Sequence, residues 1–283
     1  MRDELAVQWA GQAVWLGLAL AIVLLLAESW WPQRQTRAAF GRRWIANGLV
    51  LGVGIAVLRW LPQLSLIGAA LLAADRGWGV VNWAHVPAVI AIPIAVLAID
   101  LTGYAVHCLE HRSALLWRAH RLHHSDPDVD VTTTYRFHPF EIVLRAGAHV
   151  LVALAVGVPP MAAVGYLLLS SLTSPLSHAN VKLPRSIDRA LGWFVITPSI
   201  HRTHHSIDLD DANTNFAVCL SCWDRLFGTF RAAPALGHER VRFGVEGVPA
   251  RQATSLVAML VDPFKGERAA KPVTGPAAAV DAG

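Results

Sequence analysis

Residues 146–176 read AGAHVLVALAVGVPPMAAVGYLLLSSLTSPL, 31 positions with no charged side chain. A helix rises about 1.5 Å per residue, so this run is longer than one upright crossing of a ~30 Å hydrocarbon layer requires. It is interrupted at Gly157-Val158-Pro159-Pro160. Proline removes a backbone donor and clashes with the preceding turn, so a continuous helix cannot pass through this point. The run is therefore expected to be two apolar arms bent at the Pro-Pro, a helical hairpin that enters and leaves by the same side. The chain that follows it returns to the face from which it set out.

The rest of the chain agrees with a membrane setting. Of its 283 residues, 54% are hydrophobic and only 16% charged, with a mean hydropathy of +0.42. A soluble domain carries about 25% charged residues. Residues 5–27 form an uncharged run of 23 positions. The start, MRDE, is not a net basic leader and no small-x-small cleavage site follows, so the run is read as a retained span. A second run covers 44–61, with 64–74 as its possible extension; Arg59 and Pro62 blur its far end. A third covers 86–106 and contains Asp100. The expected fold is all-α and polytopic, with about four hydrophobic segments, the last being the broken hairpin, and a helical histidine-rich cap. Three parts are expected: membrane spans over 1–89, a histidine-rich region over 90–232, and an extension over 233–283. From residue 265 the extension is rich in Ala, Gly and Pro and reads as a disordered tail.

Orientation follows from the basic loops. The segment 33–43 holds Arg34, Arg37, Arg42 and Arg43, and the loop after the third span holds Arg112, Arg118 and Arg121. The intervening loop offers only Arg76, beside Asp75. Both arginine-rich loops are expected to face the cytoplasm, and the expected location is the bacterial inner membrane. The net charge of +4 needs no nucleic acid to account for it, because basic loops suit an anionic cytoplasmic leaflet.

Thirteen histidines are many for this length, and nine of them are grouped. His107 and His111 lie in HCLEH. His120, His123 and His124 lie in HRLHH. His178 begins HANVKLP. His201, His204 and His205 lie in HRTHH. All are outside the apolar runs or at their ends, and the hairpin allows them to meet on one face. On a helix, positions three and four apart share a side. His107 and His111 do so, with Asp100 and Tyr104 on the same stripe. In H-x-x-H-H the first histidine neighbours both later ones, so each triplet is expected to aim three imidazoles at one point. Neutral imidazole is the commonest metal ligand and suits Zn, Cu, Fe and Ni. Zinc takes three or four ligands, so nine histidines fit two higher-coordinate ions better than one zinc, and iron is the natural candidate. Acceptors for the outward ring nitrogens are available in Asp100, Glu110, Asp188, Asp208 and Asp224, without assignment. His138, in RFHPF, is open as a ligand or supporting residue. His85, His149 and His238 are read as ordinary surface or core residues.

Other readings compete. HCLEH matches the H-x-x-E-H zinc-protease pattern, with Glu110 as general base. That leaves seven grouped histidines unexplained. Haem ligation needs only two histidines and no H-x-x-H-H. A metal transporter favours ligands near the bilayer midplane rather than at its edge. Cys219 and Cys222 form half a zinc site at best and are read as packed fillers. Trp117, Trp193 and Trp223 are read as pocket walls or interfacial anchors.

The combination resembles the fatty acid hydroxylase and sterol desaturase superfamily. The resemblance rests on the three boxes, on Asp100 and Tyr104 ahead of His107, on TTTYRFHPFE, and on HANVKLPRSIDRALGWFVITPSIHRTHHS. It continues through Asn213, Asn215 and WDRLFGTF, and covers about residues 90–232. It implies a membrane-bound non-haem di-iron oxygenase that uses O2 and external electrons to hydroxylate or desaturate a C–H bond of a lipid. The implied ligands of two iron ions are His107, His111, His120, His123, His124, His178, His201, His204 and His205, with no catalytic residue beyond the metal centre. Electrons are expected from a separate ferredoxin, cytochrome or reductase, docked by arginines such as Arg118, Arg121, Arg136 and Arg202 where these are not simply inward-side charges.

Overall fold

The structure is a computed structural model that describes residues 2–36 and 40–265. It is built of helices: α1 (Arg2–Trp30), α2 (Phe40–Trp60), α3 (Leu66–Arg76), α4 (Val80–Trp83), α5 (Ala88–Arg112), α6 (Ala114–His124), α7 (Pro139–Val156) and α8 (Pro160–His178). Six short helices follow: α9 (Arg185–Leu191), α10 (Pro198–His204), α11 (Leu209–Ala212), α12 (Cys222–Leu226), α13 (Ala250–Ala253) and α14 (Leu256–Val261). No strand occurs among the described residues, only isolated bridges such as Val195 with Leu220. Four helices are long and apolar enough to cross a membrane: Asp3–Trp30, Gly41–Trp60, Ala88–Arg112 and Pro139–Val156. The tail expected to be disordered lies, beyond Lys265, outside the described residues, as does Arg37.

The hairpin is present. Helix α7 ends at Gly157, whose positive φ of 76° an L side chain rarely adopts. A Cβ there would stand 2.5 Å from the Trp78 carbonyl, so the turn needs glycine twice over. Pro159 then caps α8 and Pro160 opens it, where a missing N–H costs nothing. The two arms run 18 and 19 residues, longer at both ends than the uncharged run itself. The second apolar run ends as Pro62 requires. Its expected extension is a separate helix, α3, capped by the Ser65 hydroxyl, which accepts from the Gly68 amide at 3.1 Å.

Helix α1 packs along α8 through a stripe of small residues. Ala6, Ala10, Ala13, Gly17 and Ala21 recur at spacings of three and four, and the alanines are buried. At Gly17 the approach is closest: a Cβ would lie 2.7 Å from Ser171 Cβ. Small residues allow such contact where no hydrophobic drive separates helix from lipid. The opposite face of α1 carries exposed Trp15, Ile22 and Leu26, as a lipid-facing surface should.

Buried polar groups tie the ends of the spans to the cap. Glu28, near the end of α1, accepts from the amides of Asn180 (2.9 Å) and Val131 (3.3 Å). Arg43, at the start of α2 and wholly buried, pairs with Asp126 at 3.0 Å and also with Asp130. Arg136 donates to Leu122 O, Asn47 Oδ1, Ser125 Oγ and Ala253 O. Removing one partner from such a buried pair costs about 3–5 kcal/mol, because a charge is left without compensation. The end of α1, the start of α2, the end of α5, the start of α7 and the end of α8 thus gather at one level. The extension packs there too, through Arg121 with Asp262 (2.7 Å) and α14 against α2.

Candidate metal centre

Helix α5 carries the first pair. Asp100, Tyr104, His107 and His111 lie along one stripe and are all buried. The first two hold a loop rather than a ligand. Asp100 accepts from the Leu220 amide (3.1 Å) and Trp223 Nε1 (2.8 Å), and the Tyr104 hydroxyl is 3.1 Å from Thr229 Oγ1. Asp224 gathers the same loop by accepting from the amides of Phe216 (2.7 Å) and Ala217 (3.0 Å). The loop so fixed presents the Phe216 carbonyl, which accepts from His107 Nδ1 at 2.7 Å. Asp100 and Asp224 therefore act at one remove, and Asp188 and Asp208 serve Ser199 and the start of α11.

All nine grouped histidines meet, in two buried sets. His107, His111, His120, His124 and His204 form one; His123, His178, His201 and His205 form the other. Within each set the ligand-type nitrogens all lie within 4.8 Å of one another. The sets abut: the rings of His124 and His205 stack at 4.7 Å, and those of His201 and His204 at 5.3 Å. The expectation that each triplet aims at one point is corrected here. In HRLHH, His120 and His124 join one set and His123 the other; in HRTHH, His201 and His205 stay together and His204 crosses over. Residues four apart differ by only ~40° around a helix, whereas the neighbour three on lies ~60° to the other side. Two abutting sets exploit that angular spread.

The hydrogen bonds decide which nitrogen faces inward. A carbonyl oxygen can only accept, so His107 carries its proton on Nδ1, as do His178 against Ser174 O (2.9 Å) and His204 against Thr214 O (2.8 Å). Their Nε2 atoms are then bare lone pairs. Yet Nε2 of His107 and of His111 are each 3.1 Å from Nε2 of His120. Nε2 of His178 is 3.2 Å from that of His123 and 3.0 Å from that of His201, which is 3.1 Å from that of His205. Nε2 of His124 and His204 have no hydrogen-bond partner among the described residues. Protons do not supply the missing charge. Burial first, and neighbouring imidazoles next, hold His123, His124, His201 and His205 well below the usual histidine range, and burial pulls His120 and His204 down to about 3. Bare lone pairs converging at this spacing fit a metal ion, since ligands at ~2.0–2.1 Å from a common ion sit about 3 Å from one another.

One supporting carboxylate was not anticipated. Glu141, at the start of α7 and buried, accepts from His120 Nδ1 at 2.8 Å and from Arg145 Nε at 3.1 Å. Its signal lay in TTTYRFHPFE, but nothing in the spacing tied it to His120. Glu110 also pairs with Arg145, whose Nε is 3.1 Å from Glu110 Oε1. Glu110 thus lies on the outward side of His120, neutralised by a guanidinium, and does not face the converging nitrogens. His138 belongs to neither set: it caps α7, accepting from the Phe140 amide, and its Nε2 meets Leu260 O at 3.2 Å. Cys219 is buried in the apolar core and Cys222 is exposed; both thiols are free. Trp117 walls the five-histidine set, 5.0 Å from His111, whereas Trp193 is exposed. Arg121 and Arg136 are committed to Asp262 and to the buried network, not to a docking surface.

Residues 92–229 match the fatty acid hydroxylase family. The chain is 28% identical over 178 residues to an ornithine lipid hydroxylase of Rhizobium tropici, covering 63% of this chain and 51% of that one. It is 29% identical over 153 residues to human alkylglycerol monooxygenase, covering 53% and 32%, and 24% identical over 168 residues to rat cholesterol 25-hydroxylase, covering 54% and 55%. The chain thus spans about half or less of the first two relatives' lengths. No solved structure matches. The domain over 92–229 is thus similar to the fatty acid hydroxylase family, and the lipid and sterol hydroxylases that it matches support the same superfamily.

Proposed function

We propose that the protein is a membrane-bound oxygenase that holds two iron ions with its nine clustered histidines and hydroxylates a C–H bond of a lipid. The observation that carries this reading is the convergence of buried Nε2 lone pairs in sets of five and four. The reaction balances as R–H plus O2, two electrons and two protons giving R–OH and water. When bound, the iron pair supplies the reduction of O2 and the attack on an unreactive C–H bond. The chain's own residues do the rest. Imidazoles resist oxidation and stay neutral in this site. Trp117, Phe137 and Phe216 lie against the imidazoles and exclude water, with Phe137 stacked on His123 at 4.7 Å. Glu141, and the carbonyls of Phe216, Ser174 and Thr214, fix the tautomers from outside. Hydroxylation is favoured over desaturation because the named relatives are hydroxylases and monooxygenases. The arginines at that level support a cytoplasmic histidine face, and the reading takes its electrons from a separate donor protein.

The protease reading is weakened by the pairing of Glu110 with Arg145, since a general base must be free to take a proton. The test is metal and product together. Detergent-purified protein from iron-supplied cells should hold two irons per chain without a haem band, and turnover under 18O2 with a reductant should place 18O in a lipid hydroxyl. One zinc per chain, with activity abolished by Glu110→Gln, would replace this reading by the protease.

A further inference from the structure

A second site lies beside the histidines and shares none of them. A cleft of about 890 Å³ runs between α9, α10 and the segment 236–240. Six cationic side chains line it, Lys182, Arg185, Arg189, Arg202, Arg225 and Arg240, against only Asp188 and Glu239. Arg202 is the decisive one. It lies between His201 and Thr203 on α10 but points away from both histidine sets into the cleft. It is 5% exposed, and among the described residues it forms neither a hydrogen bond nor an ion pair. The nearby carboxylate of Asp188 accepts from the Ser199 hydroxyl and acts on Arg202 only through space, without an ion-pair contact. Burying a guanidinium unpaired is costly, and such a group is ordinarily paired. In the same wall Arg225 Nε is a buried donor without a partner, while Arg225 Nη2 donates to Gly192 O at 2.7 Å. Arg225 is held in place by the rings of Phe230 (3.6 Å) and Trp193 (4.4 Å).

The position of the cleft identifies its ligand. Ile196 N bonds Cys219 O at 2.9 Å, Ser221 N bonds Phe194 O at 3.1 Å, and Leu220 N bonds Asp100. Asp100 is seven residues before His107 on α5, about 10 Å further into the membrane at 1.5 Å per residue. The lobe carrying Trp193 and Phe194 therefore dips to that depth. There it exposes Phe194 (72%), Leu226 (69%) and Trp193 (61%), an apolar and aromatic surface suited to the acyl boundary. A cationic cleft opening directly above such a surface matches an amphiphile: acyl chains along the lobe, an anion in the cleft. Arginine forks suit phosphate, and anionic lipids enrich the leaflet that basic loops face. A cavity of this volume also fits a headgroup better than the flat surface of an acidic protein.

We propose that this cleft binds the phosphate group of an anionic glycerophospholipid, with Arg202 and Arg225 at its base and Lys182, Arg185, Arg189 and Arg240 around it. The proposal stands independently of the metal reading, because no histidine of either set lines the cleft.

The test titrates the full chain in detergent with short-chain phosphatidylglycerol, phosphatidylcholine of the same chains, and inorganic phosphate, counting bound lipid by native mass spectrometry. Phosphatidylglycerol should bind at least tenfold more tightly than phosphatidylcholine. Arg202→Gln should remove that preference. The exposed double variant Arg185→Glu/Arg189→Glu, which breaks no buried contact, should weaken phosphatidylglycerol severalfold and leave phosphatidylcholine unchanged. Equal affinity for the two lipids overturns the proposal. So does phosphatidylglycerol binding that neither variant alters, or competition by inorganic phosphate at the lipid's own concentration. Binding of an acidic ferredoxin through these residues, with no preference for phosphatidylglycerol, would assign the cleft to a protein instead.

Discussion

Glu141→Ala should empty one metal position and spare the other. Glu141 touches only the five-histidine set, through His120 Nδ1 at 2.8 Å, and shares Arg145 with Glu110. Removing it leaves His120 Nδ1 buried without its acceptor, while Arg145 keeps Glu110. Hydrogen bonds to a charged group contribute about 1.5–3 kcal/mol each. At ~1.4 kcal/mol per factor of ten, this predicts a ten- to hundredfold loss of iron affinity at that set. The range agrees with the known effect of losing a residue that supports a metal-bound histidine. The assay equilibrates purified protein with Fe(II) buffered by a chelator and counts iron per chain. In the window where the parent protein holds two, Glu141→Ala should hold one. Glu141→Gln, which can keep both contacts through the oxygen at Oε1, should fall between them. Loading of Glu141→Ala that matches the parent, or loss of both ions at a single midpoint, would refute the division into separate sets.

Other consequences are as direct. His123→Ala should deplete the four-histidine set and His204→Ala the five-histidine set, with membrane insertion unchanged; full iron content in either variant, by elemental analysis, would remove that histidine from the ligands. Burial pushes Asp224 up to about 6. Its folded pKa then exceeds its unfolded one, near 3.8, so it contributes stability that is present below about 3.8 and lost as pH rises through about 6, at no more than ~1.4 kcal/mol per pH unit. The melting-temperature gap between the parent protein and Asp224→Asn, followed by intrinsic fluorescence, should therefore be wider at pH 5 than at pH 7; a gap independent of pH would contradict this. Gly157→Ala forces a Cβ against the Trp78 carbonyl at positive φ and should lower the melting temperature clearly, whereas alanine at the exposed, helical Gly11 should not.

Much of this arrangement was legible because hydrophobic runs and histidine spacing are local signals. The Pro-Pro interruption announced the hairpin, and the hairpin implied that distant boxes share a face. The limit of each helix was less legible: Pro62 separated α3 from α2, where composition alone ran on. The partition of the histidines was hidden for a different reason. Spacing says which side chains share a side of one helix, but whether a residue three positions on joins its neighbours or a facing set depends on what stands opposite. Glu141 was hidden because its partner, His120, is 21 residues away on another helix. The carboxylates that looked available, Asp100 and Asp224, proved to hold the loop that supplies a carbonyl, a role that only tertiary contacts define.

The crossing of the two triplets has a mechanical result. Each short helix, α6 and α10, serves as a fixed-length ruler laid across both histidine sets, with the separation set by the pitch of one turn. Neither set can be tightened, loosened or displaced by moving a helix without moving the other set by the same amount. A single residue inserted into either box would put both out of register at once. Changes of chain length are therefore confined to the connections outside the boxes, while the distance between the two sets is built into the backbone itself.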